Sequence, residues 1–258
     1  MSRCAISIWV LCFGAVLLGQ EPEFDFYPEY RDVLIPNIRA ANPSATNDQL
    51  LKEYADALAA DGIGSKEIGR RLGLIRDNRA GFEVDYWNRV YTSEESHFNR
   101  APNAFLMEVV QDLDTGVALD YSMGEGRNSI YLAQLGWEVW GFDPADAAVA
   151  LAGKRARELG LTLHVSAVRD DEFEFGRERF DLIVFSWAMP LSPVETVLAS
   201  LKPGGAVVME AAADYVGRNG MLKKFDALRI VRYEVVRDRA DWYGRRETEI
   251  VRLVATKP

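Results

Sequence analysis

Three kinds of residue in this sequence are placed to hold a small ligand. They are acids that end apolar runs, glycines between those acids, and aromatics upstream of both. Val117-Ala118-Leu119 leads into Asp120 and Tyr121, and Ser122-Met123-Gly124-Glu125-Gly126 follows. A second apolar stretch, Trp137 to Phe142, ends in Asp143, 17 residues after Gly126. Glycine has no Cβ, tolerates φ > 0 and lets a ligand come close to the backbone. A helix that opens just after such a loop offers unpaired N–H groups and the positive end of its dipole to a carboxylate or phosphate. Dinucleotide-binding folds place a ribose-binding acid about 20 residues beyond their glycines. Two strands ending in acids on either side of one glycine loop point to a nucleoside-containing ligand.

The elements that position these residues follow from periodicity. A helix opens near Asn128, with Ile130, Leu132 and Ala133 at helical spacing, and stops at Gly136. Ala147–Leu159 reads as a helix closed by Gly160, and Leu161–Val165 as a third strand. Phe180–Trp187 is a fourth strand, Val194–Leu201 a short helix, and Ala206–Glu210 a fifth strand. Lys202-Pro203-Gly204-Gly205 between the last two is a turn that uses the fixed φ of proline and the free φ of glycine. A short helix near Met221–Phe225 precedes two β-rich runs, Leu228–Val236 and Thr248–Thr256. Strands alternating with helices predict an α/β fold. Open α/β sheets bind ligands beyond the carboxyl ends of their strands, which brings Phe185, Ser186 and Trp187 to the ligand edge.

Asp120-Tyr121-Ser122-Met123-Gly124-Glu125-Gly126 resembles the first motif of class I S-adenosylmethionine-dependent methyltransferases, usually D-x-G-x-G-x-G. The run from Gly124 to Ala133 looks most like the small-molecule branch around tellurite- and thiopurine-type enzymes. Phe180-Asp181-Leu182-Ile183-Val184 and Leu201-Lys202-Pro203-Gly204-Gly205 are similar to later signatures of the same family. Ser122 departs from the pattern, standing where the first glycine usually stands. The resemblance covers roughly residues 105–258. It implies a Rossmann-like seven-stranded mixed sheet with helices on both faces, ending in an antiparallel hairpin, with an N-terminal helical appendage in front. It implies S-adenosylmethionine as cofactor, held by Asp120, Ser122, Gly124, Gly126, Asp143, Asp170 and Ser186. In the family an acid after the third strand faces the adenine amino group. Asp170 stands there, 11 residues before Asp181, and is the preferred candidate; a solvated turn at Asp170-Asp171-Glu172 is the competing reading. Asp181 opens its strand, away from the ligand edge, and reads as structural.

Upstream, residues 21–104 form an extended and helical segment. Leu50, Leu51, Tyr54, Ala55, Leu58 and Ala59 make one apolar helix face, and a second short helix follows Gly62 and Gly64. Two helices about a glycine turn have the outline of a helix-turn-helix. Over 47–80, however, Lys52, Lys66, Arg70, Arg71, Arg76 and Arg79 are matched by Asp48, Glu53, Asp56, Asp61, Glu67 and Asp77. That balance supplies little attraction to phosphate, so a cap on the catalytic domain is the preferred reading. The formal net charge of −9 points the same way, toward a small-molecule partner and not nucleic acid. Tyr86, Trp87 and Phe98 precede the first strand and, with Trp187, form the candidate acceptor pocket. Either they line a lid or they simply seal the joint between helix and sheet.

Residues 1–20 differ from the rest. Arg3 is the sole charge, and an apolar run from Cys4 to Leu18 leads to Gly19-Gln20. This is the outline of a secretory signal, too short for a membrane span of about 20 residues. The expectation is an exported protein starting near Gln20 or Glu21, or an N-terminally anchored one if the segment stays. Both cysteines, Cys4 and Cys12, lie inside it, so a mature chain has neither a disulfide nor a thiolate metal site.

Three functions are therefore weighed. The first is methyl transfer by alignment of a nucleophile with an electrophilic methyl group, needing no metal and no covalent residue. The second is an NAD(P)-dependent oxidoreductase, because Gly124-x-Gly126-x-x-Ser129 nearly meets that fingerprint. The third is a binding module without turnover. Of the two histidines, His164 sits within a strand. His97 has a catalytic reading, as a base, and an incidental one.

Overall fold

The computed structural model describes residues 26, 30, 47–93, 98–188, 193–216, 219–242 and 247–258. The expected signal segment 1–20 and His97 lie outside these residues. Among the described residues, no helix is long and apolar enough to cross a membrane.

The sheet is seven-stranded and mixed, as expected. Its strands are β1 (Val117–Tyr121), β2 (Glu138–Asp143), β3 (His164–Ala167), β4 (Phe180–Ser186), β5 (Leu201–Ala212), β6 (Arg229–Arg239) and β7 (Glu247–Thr256). The spatial order is β3-β2-β1-β4-β5-β7-β6, with β7 antiparallel to both β5 and β6. The parallel strands are apolar at consecutive positions because each face is covered. Leu119, Ile183, Phe185, Val207 and Met209 face one core, and Ala118, Leu182, Val184, Ala206 and Val208 face the other. Helices α3 (Ala104–Val110) and α4 (Arg127–Gln134) cover the second face. Helix α5 (Asp146–Glu158) links β2 to β3. The first face is covered by α6 (Val194–Ala199) and, beyond α7 (Ala213–Val216), by α8 (Gly220–Lys224).

Several boundaries move, each for a physical reason. Strand β3 begins at His164 and not at Leu161, because its ladder to β2 starts with His164 opposite Trp140. The Lys-Pro-Gly-Gly stretch is not a separate turn. It bulges out of β5, where the pairing passes from Phe180↔Leu201 to Leu182↔Ala206, and Gly204 takes φ +79. Asp181 is structural: its Oδ2 accepts the Val117 N–H at 2.8 Å and the Lys202 ammonium at 2.7 Å.

The largest difference lies upstream. Helix α1 (Asn47–Ala60) packs Leu51, Tyr54 and Leu58 with Phe26, Tyr30 and Ile75, while Ala59 of the expected apolar face is exposed. The second helix is not short. Helix α2 runs from Ser65 to Thr92 without a break. Gly69, Gly73 and Gly81 lower its propensity, but packing of its two ends compensates. Its first half joins the small core with α1, and its last turns reach the glycine loop.

Candidate functional site

The loop after β1 lies at the carboxyl edge of the sheet, beside the switch in strand order between β1 and β4. Gly124 (φ +56) and Gly126 (φ +71) both need the left-handed region. A Cβ on Gly126 would lie 2.9 Å from Ala152 Cβ, so this glycine lets α4 and α5 approach each other. A Cβ on Gly124 would lie 2.6 Å from the Tyr91 hydroxyl. Ser122 adopts φ +50, the backbone that the usual glycine supplies without strain. A non-glycine residue there costs about 1–2 kcal/mol, partly offset by the greater freedom that glycine loses on folding. Ser122→Gly is therefore expected to stabilise the protein by about 0.5–1 kcal/mol in urea unfolding. A destabilised variant would mean that the hydroxyl makes up for the strain.

Asp143 ends β2 and is 6% exposed. Its Oδ2 accepts the Gly124 N–H at 2.9 Å, and its Oδ1 accepts the Ala145 N–H at 2.9 Å. Burial pushes its carboxyl up to about 6, against the pull of those two amides. The acid is thus tied directly to the loop. Asp120 takes a different place. It is 1% exposed, and its Oδ2 accepts the Ser129 hydroxyl at 2.6 Å. It also takes the Ser129 backbone N–H, and burial holds its carboxyl up at about 6. Gly126 has no side chain to cap α4, and Asp120 does so from below. Asp170, 9% exposed, accepts the Tyr121 hydroxyl at the same sheet edge, three residues past the end of β3. Ser186 is half-buried, and its Oγ accepts from Arg127 Nη2 at 3.3 Å.

The aromatics come together above the loop. Trp87 lies 5.9 Å from Tyr91 and 6.4 Å from Phe98, between ring centroids. Phe98 stacks on Trp242 at 5.4 Å, and Trp242 lies 6.4 Å from Trp187. All five rings are half-buried, so they are not closed core. Tyr86 joins through Trp87 at 5.2 Å and also packs against the small α1–α2 core. Trp187 adopts φ +60, unusual for so bulky a residue. Its N–H donates to Glu210 O at 2.8 Å, and its indole Nε1–H donates to Asp241 Oδ1 at 2.7 Å. Strain of this kind persists only where the surroundings over-determine it.

Asp241, in the turn after β6, is the hub of that surrounding. Besides Trp187 it accepts from Arg127 Nη2 at 2.8 Å and from Asn103 Nδ2 at 2.9 Å. Its backbone carbonyl accepts from Asn99 Nδ2 at 2.8 Å. Asn103 also donates to Glu210, which in turn accepts from Arg252. Sequence reasoning missed Tyr91 as a site residue, and it missed Arg127, Asp241 and Trp242. Arg127 has a local signal, being the first residue after the glycine loop. Asp241 and Trp242 have none, because they arrive from the far hairpin.

The residues present fit a nucleoside-bearing, zwitterionic cofactor. A buried acceptor is tied to a loop amide, a second acid lies at the same edge, and Gly124 and Gly126 give the left-handed backbone of a tight loop. Residues 118–205 match the family model described as a methyltransferase domain. No curated protein matches the sequence. The N-methyltransferase NodS from Bradyrhizobium japonicum WM9, solved with S-adenosyl-L-homocysteine, is 16% identical with a TM-score of 0.53, over 68% of this chain and 98% of that one. TehB from Haemophilus influenzae is 18% identical with a TM-score of 0.50, over 68% of this chain and 67% of that one. The [4+2]-cyclase SpnF is 19% identical with a TM-score of 0.52, over 68% of this chain and 92% of that one. At such identities the likeness is one of fold. Together with the family match over residues 118–205 and the loop at the sheet's switch point, it gives this chain a Rossmann-like methyltransferase fold.

Proposed function

We propose that this protein transfers a methyl group from S-adenosylmethionine to a small-molecule acceptor. The observation that carries the reading is the tie between Asp143 and Gly124, directly beneath the half-buried aromatic cluster. Tyr91 thus joins the glycine loop to the aromatic cluster. When bound, the cofactor supplies a sulfonium-activated methyl. An acceptor's lone pair would take that methyl, and the carbon–sulfur electron pair would stay on sulfur. Asp143 would accept hydrogen bonds from ribose hydroxyls, Asp170 would face the adenine end, and the 122–126 loop would hold the methionyl end. Trp87, Phe98, Trp187 and Trp242 exclude water and orient the acceptor, a role suited to large, stiff apolar rings. The net charge of −9 favours a small molecule over nucleic acid. The motif resemblance supports the tellurite- and thiopurine-like branch, and the composition of residues 1–20 supports export.

SpnF, which shares the fold, is a cyclase, so the fold alone does not decide the reaction. Calorimetry with S-adenosylmethionine, S-adenosylhomocysteine and NAD(P) separates the cofactor readings. Labelled S-adenosylmethionine with a panel of thiols, amines and metalloid anions then tests transfer. Heat with NAD(P) alone would overturn the proposal, and cofactor binding without transfer to any of the panel would favour the non-catalytic reading. With an active acceptor in hand, Trp187→Ala is expected to lower the transfer rate about tenfold or more while cofactor affinity stays within about twofold. Equal loss of both would make Trp187 part of the scaffold.

A further inference from the structure

Tyr91, at the end of α2, lies against the glycine loop itself. A Cβ on Gly124 would sit 2.6 Å from its hydroxyl and 3.5 Å from its Cζ, so the phenol lies against the bare Cα. The last turn of α2 is held there by a separate contact. Asn88 donates to Asp146 Oδ1 at 2.6 Å and accepts the Ala147 N–H at 3.1 Å, which caps α5 from outside. One turn of helix therefore bridges the first residues after Asp143 and the loop before α4. Trp87 and Tyr91 are four apart and lie on one face, so the same turn also enters the aromatic cluster. Resting on the S-adenosylmethionine reading above, we propose that Tyr91 belongs to the cofactor site. Its hydroxyl hydrogen-bonds the cofactor where it lies along the 122–126 loop, so cofactor binding and docking of the lid end are one event.

The chemistry of the position agrees. The groups around the phenol are the carboxylates of Asp143 and Glu125 and the guanidinium of Arg127. Burial, and then those two acids, push the phenol far above its ordinary range, so it stays a neutral donor. A neutral hydroxyl both donates and accepts, which suits a ligand that carries hydroxyl, ammonium and carboxylate groups side by side. The ring continues into Trp87 and Phe98, at 5.9 and 5.3 Å, so any shift of Tyr91 is passed to the acceptor wall. The competing account is that Gly124 merely leaves room for the ring, which then plugs the loop.

The test titrates S-adenosylhomocysteine into the wild-type protein, Tyr91→Phe and Tyr91→Ala by calorimetry. Hydrogen exchange of amides 85–92 is read with and without the ligand. Tyr91→Phe keeps the ring packing and is expected to weaken binding about fivefold, the range of one net hydrogen bond. Tyr91→Ala should weaken it further, by about twentyfold. In the wild type, exchange at 85–92 should slow on binding, and the slowing should shrink in Tyr91→Ala. Equal or tighter binding by Tyr91→Phe, or unchanged exchange in the wild type, would overturn the inference. No binding by the wild type would instead bring down the cofactor reading, and this inference with it.

Discussion

Asp143→Ala is expected to weaken S-adenosylmethionine binding by about tenfold or more, in a protein that still folds. A carboxylate that accepts from two vicinal hydroxyls makes charge-assisted bonds, each worth about 1.5–3 kcal/mol. Each 1.4 kcal/mol or so is a factor of ten. Asp143→Asn, which keeps one acceptor for the loop amides, should fall between wild type and alanine. Circular dichroism and thermal unfolding check the fold of each variant. Unchanged affinity in a folded alanine variant would remove Asp143 from the site.

The same residue sets a pH dependence. Its carboxyl is raised from 3.8 to about 6 in the folded chain. Ribose hydroxyls donate best to the ionised form, so affinity should rise with pH through about 6, with a proton released on binding there. Stability of the free protein has the opposite sign. Between about pH 4 and pH 6 the folded state holds a proton that the unfolded chain has released. The stabilisation is complete below the unfolded value and is lost as pH rises through about 6. Asp120, also raised to about 6, adds a second contribution of the same sign. Urea unfolding from pH 4 to 7 should show this decline, and Asp143→Ala should flatten part of it.

The second large effect is expected from Asp241→Ala. This substitution removes the shared acceptor of Arg127, Trp187 and Asn103. The Arg127 side chain is only 11% exposed and Asp241 20%, so the guanidinium is left with little water to replace the carboxylate. Removing one partner of a buried pair costs about 3–5 kcal/mol, and partial exposure reduces that to about 2–3 here. For a chain of this size the melting temperature should fall on the order of 5–10 °C. Asp238→Ala is the control. Asp238 also faces an arginine, Arg252, at 3.1 Å, but is 52% exposed, so its loss should cost less than about 1 kcal/mol. Similar losses from both variants would mean that the Asp241 hub holds nothing together.

How much of this was legible depended on whether the signal was local. The 117–128 stretch could be read because an apolar run, an acid, glycines and a helix start are contiguous. Their backbone demands, φ > 0 and an open helix end, are demands of residue type. Asp143 was legible by its distance from Gly126. Ser122 shows the limit of that reading. Its departure from the pattern was visible, but its φ of +50 was not. The long helix α2 was misjudged because three glycines lowered its local propensity, and tertiary packing at both ends overrode that.

By itself, the sequence determined the order of strands and helices, the glycine loop and its acids, and the acidic charge balance. These follow from periodicity, residue type and net charge, which act over a few residues or over the whole chain at once. Only the tertiary structure decided which side chains meet. It gave Asp120 to Ser129, and it set Tyr91 against Gly124. It also brought Asp241 to Arg127 across 114 residues of chain. Such contacts depend on how the β6–β7 hairpin and the α2 helix fold back over the sheet, and no local preference of Asp241, Trp242 or Tyr91 encodes that.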